Sequence, residues 1–131
     1  MNKTELPMSP FGNFLGIRID EYGEGVAQCS LDLQQHHMNA GGRVHGGVLT
    51  SLADTAAGVA VRSVRPIGKL SATTDLSIAF IRPPLGDSLV ANAKVLHAGS
   101  RLFRTEISIH CEEKLIAKTT ATFMIVNGSK S

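Results

Sequence analysis

The sequence predicts an α+β fold in which a curved antiparallel sheet of about six strands wraps round one long central helix. One apolar segment near the middle of the chain has the length and the Ala and Leu content of a helix. Most of the remaining chain alternates apolar and polar residues with period two, which is typical of half-buried antiparallel strands. A helix that is apolar nearly all round must be covered on most sides, and a wrapped sheet is the economical cover.

Length and composition indicate a single domain over 1–131. The 43% hydrophobic and 18% charged fractions are those of an ordinary globular protein. The net charge of +2, without a basic run, gives no electrostatic footprint for nucleic acid. No stretch reaches the roughly 18 apolar residues of a membrane span, and the N-terminus lacks the apolar core of a signal peptide. We therefore expect a cytoplasmic protein that binds neither nucleic acid nor membrane.

The two cysteines, Cys29 and Cys111, lie far apart and among alternating apolar residues. They lack the C-x-x-C spacing of a redox or metal motif. Free buried thiols in a reducing compartment are therefore favoured over a disulfide.

The helices are predicted from their end signals. Ser9 and Pro10 suit the N-cap and first position of a short helix that ends near Leu15. A polar, Gly-rich loop is expected over 36–43. The long helix then runs from about Gly47 to Val64, and the Pro and Gly that follow it close it off.

Six segments alternate with period two and are predicted to be strands. They cover 15–20, 26–33, 71–82, 89–97, 102–112 and 114–126. A Gly-containing turn at 22–25 joins the first two. The breaks between the last four are short, so we expect consecutive strands to pair as a meander of hairpins. In the second strand Ala27, Cys29 and Leu31 share a core face, and in the last strand Leu115 and Ala117 do.

Asp54 is the first candidate for chemistry, because it is the one charged residue between Gly46 and Val61. A carboxylate within a buried helix is costly unless it is paired, hydrated or functional. At 100° per residue it shares a helix face with small and polar residues, which leaves room for a ligand or water. These residues are Gly47, Thr50, Ser51 and Gly58. We interpret Asp54 as functional, and the alternative is an exposed or capping Asp that the helix tolerates.

The start of the long helix is the second candidate. Gly46 and Gly47 allow close approach of a ligand, and the first N–H groups of a helix lack partners within it. With the helix dipole they form an oxyanion site, although a tight loop-to-helix turn would have the same sequence. For His45 an orienting role is favoured over proton transfer. Asn39 is a turn former by default and could also position a water.

Other chemistries find less support. His36, His37 and His45 do not form a recognisable ligand set, so we expect no metal and no cofactor. No nucleophile-elbow, dinucleotide or P-loop pattern is present. Arg82 and Arg101 sit at strand ends, where solvated charge is the default and contact with a nucleotide phosphate is the alternative.

The run from Asn39 to Ala56, NAGGRVHGGVLTSLADTA, resembles the helix-start motif of hotdog-fold acyl-CoA thioesterases, and most of all the phenylacetate-pathway (PaaI-type) branch. Three later segments, 73–83, 95–101 and 115–119, are also similar to that branch. The resemblance covers nearly the whole chain after residue 10. Its H-G-G-then-Asp spacing is typical of the branch but not of one substrate.

The resemblance implies hydrolysis of an aromatic (phenylacetyl-type) or medium-chain acyl-CoA without a cofactor. It implies that two subunits join edge to edge into one sheet, with a homodimer as the minimal active unit and a homotetramer as the full assembly. Asp54 of one subunit would face Asn39 and Gly46 of the other. Asp54 would act as general base or nucleophile, the Gly46 N–H would bind the thioester oxygen, and Asn39 would place water or carbonyl.

The remaining site residues also follow from the resemblance. Thr73 would supply a hydroxyl near the attacking water, and His45 would belong to the catalytic set. The residues expected to contact substrate, several of them along the CoA channel, are Gly47, Asp75, Arg82, Pro83, Gly99, Ser100 and Arg101.

The principal alternative is a hotdog module that binds acyl-CoA without turnover. Asp54 and Asn39 argue against it, because a pure sensor needs neither. A hotdog hydratase or dehydratase ranks lower, because those enzymes resemble chains in which the His and acidic residues are arranged differently. A purely structural oligomer would leave Asp54 without a purpose.

Overall fold

A computed structural model describes residues 6–128, and within them it shows two α-helices, one 3₁₀ turn and six strands. In chain order these are α1 (Pro10–Leu15), β1 (Arg18–Gly23), β2 (Val26–Asp32), the 3₁₀ turn (Gln35–His37), α2 (Gly46–Arg62), β3 (Lys69–Phe80), β4 (Ser88–Ala98), β5 (Leu102–Cys111) and β6 (Lys114–Asn127). The strands form one antiparallel sheet in the order β1-β2-β4-β5-β6-β3, and α2 packs against all of them. The predicted α+β architecture is confirmed.

The core lies between α2 and the inner face of the sheet. The helix buries Leu52, Ala56 and Ala60 completely, because small residues let the strands approach its axis closely. The predicted core face of β2 is confirmed, since Cys29 and Leu31 are fully buried. Both cysteines are free and buried. None of the helices in the described part of the chain is long and apolar enough to cross a membrane.

Helix α1 begins and ends as its sequence predicts. The Ser9 Oγ accepts a hydrogen bond from the Gly12 N–H at 3.0 Å, and Pro10 occupies the first turn. Gly16 closes the helix with φ 86°, a left-handed conformation that favours glycine. Because the helix extends to Leu15, the prediction of a strand from residue 15 was wrong, and β1 begins at Arg18.

The first hairpin is tighter than the turn predicted at 22–25. Strand β1 extends through Gly23, where it pairs with Val26. Only Glu24 and Gly25 form the turn, with φ of 54° and 82°. Two consecutive left-handed residues match the right-handed twist of the strands, which explains why two residues suffice.

The predicted meander is wrong at β3. This strand pairs with β6 at one end of the sheet, whereas β4 lies between β2 and β5. Residues 81–87 therefore cross the molecule rather than turn back on themselves. Pro83 and Pro84 restrict the residues before them to extended conformations, which suits a spanning connection better than a hairpin turn.

Strand β3 is an edge strand with little cover on either face. Leu70 and Phe80, at its two ends, are 45% and 55% exposed, so the expected half-buried alternation does not hold in the single chain. A register shift between Thr73 and Asp75 also interrupts the alternation. Within the described residues, the twelve residues of β3 thus present a long unpaired edge at the opposite end of the sheet from β1.

A similar irregularity corrects the core face of β6. Ala117 pairs with Ile109 and Leu115 with His110, so one extra residue lies in β6 at this point. That residue, Ile116, is 1% exposed, whereas Leu115 is only half-buried. The bulge exchanges the faces of the two residues, so the prediction for Leu115 was wrong.

Candidate active site

Asp54 lies on a stripe of α2 that the sheet leaves open. Thr50, Ser51, Asp54 and Gly58 are half-buried, whereas the neighbouring alanines of the helix are fully buried. The helical spacing predicted this face. The carboxylate is therefore accessible from one side in the single chain, rather than enclosed on every side.

The hydroxyl of Thr73 on β3 holds the Asp54 carboxylate. The Thr73 Oγ1 donates to Asp54 Oδ1 at 2.7 Å, which is a short, charge-assisted hydrogen bond. This contact fixes one carboxylate oxygen, and the other accepts no hydrogen bond from residues 6–128. The resemblance pointed to a Thr73 hydroxyl near the attacking water, and the structure adds its direct bond to the carboxylate.

His45 is the N-cap of α2. Its Nδ1 accepts from the Gly47 N–H at 2.8 Å, and its carbonyl accepts from the Val48 N–H at 2.9 Å. An accepting Nδ1 requires that the proton of the neutral ring lies on Nε2. The Gly47 N–H is therefore occupied by the cap. The Gly46 N–H has no acceptor within residues 6–128, so it is the helix-start donor that a ligand can use.

The Asn39 side chain shapes the loop before α2. Its Oδ1 accepts from the Gly41 N–H at 2.9 Å and from the Arg43 N–H at 3.0 Å. Asn39 is thus the turn former that its sequence setting predicts. Because the oxygen faces the loop, the Nδ2 amide group faces away from it and offers a donor on an exposed residue.

A cavity of about 340 Å³ joins the Asn39 loop, the start of α2 and the end of β3. Most of its wall is apolar, and its polar side chains are those of one asparagine and two arginines. The lining residues are Asn39, Arg43, Val44, Gly46, Leu49, Phe80, Ile81, Arg82, Pro83 and Pro84. The Phe80 ring lies so close to Gly46 that a Cβ there would be 3.2 Å from Phe80 Cζ. Glycine at this position therefore keeps the N–H accessible beside the ring.

Arg43 is a cation of this cavity that sequence reasoning missed. It lies between the 340 Å³ cavity and a neighbouring one of about 450 Å³ that Leu33, Met38 and Leu85 help to line. The available signal was its position inside the Gly-rich loop, directly before the helix-start motif. Arg82 and Pro83, which were predicted to bind substrate, do line the 340 Å³ cavity.

The turn between β4 and β5 forms a separate basic cavity of about 390 Å³. Gly99, Ser100 and Arg101 line it together, as the resemblance grouped them. His97 and Arg104 add two further side chains that sequence reasoning missed, and the two residues pair across β4 and β5. An alternating pattern cannot show such a cross-strand pair.

The single chain does not bring all of the candidate residues together. Gly46 and Asp54 are eight residues apart on α2, which separates them by about 12 Å along the helix axis. Asp75 is exposed on β3, beyond the register shift. Within residues 6–128, no three His, Cys, Asp or Glu side chains converge on a point that would hold a metal ion.

Comparisons with known proteins give a consistent picture. The model of the family described as "Thioesterase superfamily" matches residues 41–118. The medium/long-chain acyl-CoA thioesterase YigI of Escherichia coli K12 is 30% identical, over 88% of this chain and 85% of that protein. A conserved protein from Pseudomonas aeruginosa is 34% identical, with a TM-score of 0.88 over 91% of this chain and 95% of its own. The PaaI protein of the E. coli phenylacetic acid degradation operon is 29% identical, with a TM-score of 0.85 over 94% and 88% of the two chains.

Proposed function

The chain belongs to the Thioesterase superfamily and is a thioester hydrolase of the hotdog fold, and from this premise we propose that it hydrolyses an aromatic, phenylacetyl-type, or medium-chain acyl-CoA to the free acid and CoA. The observation that carries the proposal is the Asp54 carboxylate on the open stripe of α2, with one oxygen held by Thr73. The names of YigI and PaaI support the two acyl classes.

We propose that two subunits share each site. Hydrolysis needs a base beside the attacking water and a donor beside the oxyanion, each within about 3 Å of an oxygen on the same carbon. Asp54 and Gly46 of one chain are too far apart along α2 for that, at about 12 Å. Asp54 of one subunit can act with Gly46 and Asn39 of the partner subunit if the two chains meet at β3.

The free edge of β3 supports such a dimer. An unpaired strand edge is a template for another strand, and a twofold axis makes the contact self-complementary. The bulge at Thr74 takes one residue out of the ladder, so Thr73 and Phe80 each lie three pairing steps from Ser77. A twofold axis through Ser77 therefore sets Thr73 beside Phe80 of the partner subunit. Thr73 bonds Asp54, and Phe80 touches Gly46, so the carboxylate and the free N–H approach each other.

The chemistry then needs only these groups. The free oxygen of Asp54 takes a proton from water while the water oxygen attacks the thioester carbon. The Gly46 N–H of the partner subunit, at a helix N-terminus, stabilises the oxyanion, and the Asn39 amide donates to the same oxygen. Collapse of the intermediate breaks the C–S bond, and the proton held by Asp54 passes to the sulfur of CoA. Direct attack by Asp54, through an anhydride that water then cleaves, is the other route for the same residues.

The cations suit the anionic part of the substrate. Arg43 and Arg82 line the cavity beside Gly46, and Arg101 belongs to the basic cavity at the β4–β5 turn. Guanidinium groups bind phosphate oxygens with two parallel hydrogen bonds, and CoA carries three phosphates. The apolar wall of the 340 Å³ cavity suits the acyl or pantetheine part.

We further propose that the dimers pair into a homotetramer, which native mass spectrometry would test.

The test of the function is turnover of a panel of thioesters that includes phenylacetyl-CoA and octanoyl-CoA. Wild type should release CoA from at least one of them. Asp54→Asn should keep its fold and lose activity by about 10²–10⁴-fold, the usual contribution of a general base. Asp32→Asn, which neutralises an exposed carboxylate paired with Arg18 at the end of the sheet opposite β3, is the matched control and should retain activity. Binding of acyl-CoA without turnover by wild type would favour the sensor module instead.

A further inference from the structure

We infer that His37 is a positioning residue for the shared site, whose buried imidazole fixes both the loop that carries Asn39 and the start of α2. His37 does not line either cavity beside the helix start, so it would act through the residues that it holds. The inference rests on the proposed function, because it concerns the geometry of the same site.

The imidazole of His37 is fully buried and both of its nitrogens are engaged. Nδ1 accepts from the Gln34 N–H at 2.8 Å, and Nε2 lies 2.8 Å from the carbonyl oxygen of Leu15. A carbonyl oxygen only accepts, so Nε2 carries the proton and the ring is neutral. The Leu15 carbonyl ends α1 and has no partner within that helix, so His37 supplies the bond it lacks. The ring thus ties α1 to the loop before α2.

The main chain of His37 begins a small antiparallel ladder. The His37 carbonyl accepts from the His45 N–H at 2.9 Å, Met38 bridges to Val44, and the Asn39 N–H bonds the Arg43 carbonyl. His37 and His45 form the base of this ladder, and Asn39 stands near its tip. His45 in turn caps α2 and occupies the Gly47 N–H, which leaves Gly46 as the free donor. One buried ring therefore anchors the segment that supplies both donors to the thioester oxygen.

Such an anchor has a characteristic kinetic signature. Displacement of a catalytic group by about 1 Å can cost about 10² in rate while the substrate still binds. Of the cations proposed to hold CoA, Arg82 and Arg101 lie outside the segment that His37 anchors, and Arg43 lies within it. Loss of the His37 anchor should therefore lower kcat much more than it raises KM. A residue that only stabilises the fold would change the fraction of folded enzyme and neither constant per folded molecule.

The experiment compares His37→Gln and His37→Phe with Thr105→Val, at a temperature where each protein is folded. Gln keeps one donor and one acceptor, whereas Phe keeps the volume and removes both. Thr105 is also buried and donates to the Ala121 carbonyl at 2.9 Å, so its variant loses a buried hydrogen bond outside the segment that His37 anchors. We expect kcat to fall at least tenfold in His37→Phe and less in His37→Gln, with KM within about threefold of wild type. Thr105→Val should keep both constants.

A double-mutant cycle with Asn39→Ala separates positioning from general destabilisation. If His37 acts through the Asn39 loop, His37→Gln should cost much less kcat in the Asn39→Ala background than in wild type. The Thr105→Val cycle should be additive.

If the His37 variants fail to fold, Gly16→Ala tests the same hydrogen bond from the α1 side. Residue 16 has φ 86° and follows Leu15 directly, so an alanine there should shift the Leu15 carbonyl and lower kcat likewise.

The possible failures are distinguishable. Wild type that hydrolyses no thioester would remove the proposed function and this inference with it. The His37 inference would be overturned, and the function left standing, if wild type is active and the folded His37 variants have the same kcat as Thr105→Val. The same result from folded Gly16→Ala would have the same meaning. Additivity between His37→Gln and Asn39→Ala would overturn it as well.

Discussion

Asp54 depends on Thr73 for its orientation, and this pair is the most local part of the proposed mechanism. The hydroxyl donates to one carboxylate oxygen at 2.7 Å and leaves the other for water. Thr73→Val keeps a β-branched side chain on an exposed strand, so the fold should persist. We expect kcat to fall roughly tenfold, a fraction of the 10²–10⁴ that a general base contributes. Thr73→Ser should retain most activity, and an active Thr73→Val would contradict the role given to this bond.

Cys29 provides a second prediction at the residue scale. Burial, with a smaller effect of Asp20, raises the pKa of its thiol to about 12. Cys29 in the native protein should therefore not react with a thiol reagent at pH 8, because its buried thiol is neither ionised nor accessible. Rapid labelling of Cys29 in the folded protein would contradict its burial.

The same raised pKa affects stability at high pH. The unfolded thiol ionises near pH 9 and the folded one only near 12, so the unfolded chain binds fewer protons in between. Stability should be unaffected below about pH 8 and should fall as pH rises from 9 to 12, by at most about 1.4 kcal/mol per pH unit. Denaturant titrations should show a shallower decline in Cys29→Ala. An identical decline in both proteins would show that another group is responsible.

The start of α2 allows the cap and the chemistry to be separated at the scale of one element. His45 accepts from the Gly47 N–H through Nδ1, a role that Asn performs well at an N-cap. His45→Asn should keep both stability and most of the activity, whereas His45→Ala should lose about 0.5–2 kcal/mol of stability. Thermal unfolding and kcat measured on both variants test this. Inactive but stable His45→Asn would assign proton transfer to the imidazole instead.

Gly46 tests the contact between α2 and the end of β3. A Cβ at this position would lie 3.2 Å from Phe80 Cζ, so Gly46→Ala must displace the ring or the helix start. The N–H remains, and we expect kcat to fall less than the 10²–10³ that follows complete loss of an oxyanion donor. Adding Phe80→Leu should recover part of the loss, because Phe80 is exposed and a smaller side chain relieves the crowding. No recovery would show that steric contact with Phe80 is not the cause.

Elements with strong local signals could be predicted from the sequence. Ser9, Pro10 and Gly16 specify α1 through contacts within a few residues, and the 3.6-residue period specifies the open stripe of α2. The bulge at Ile116 could not be predicted, because a one-residue insertion leaves the alternation intact on each side of it. The hydrogen bond of the His37 ring could not be predicted either, because its partner, the Leu15 carbonyl, lies 22 residues away in the sequence.

At the scale of the whole molecule, the position of β3 was not accessible from the sequence. A seven-residue connection, 81–87, can turn back or cross the sheet, and only the packing of the other strands decides. Its place at the edge has the largest functional consequence, because it brings Thr73 to Asp54 and leaves twelve residues free to pair with a second chain. The hydrogen bond between Thr73 and Asp54 depends on where β3 lies in the sheet. From the sequence, only the family resemblance indicated that Thr73 belongs to the site.

A site shared between two subunits is the central claim, and mixing two strongly impaired variants tests it most directly. Subunits of Asp54→Asn and Asn39→Ala, each at least tenfold less active than wild type as a homodimer, are refolded or expressed together in equal amounts, and turnover of the best thioester is measured. In a mixed dimer one site combines both substitutions, and the other combines the intact Asp54 of one subunit with the intact Asn39 of its partner. Half of the dimers are mixed and each has one working site, so we expect about a quarter of wild-type activity. Activity no higher than that of the unmixed variants, with mixed dimers shown to be present, would contradict a shared site.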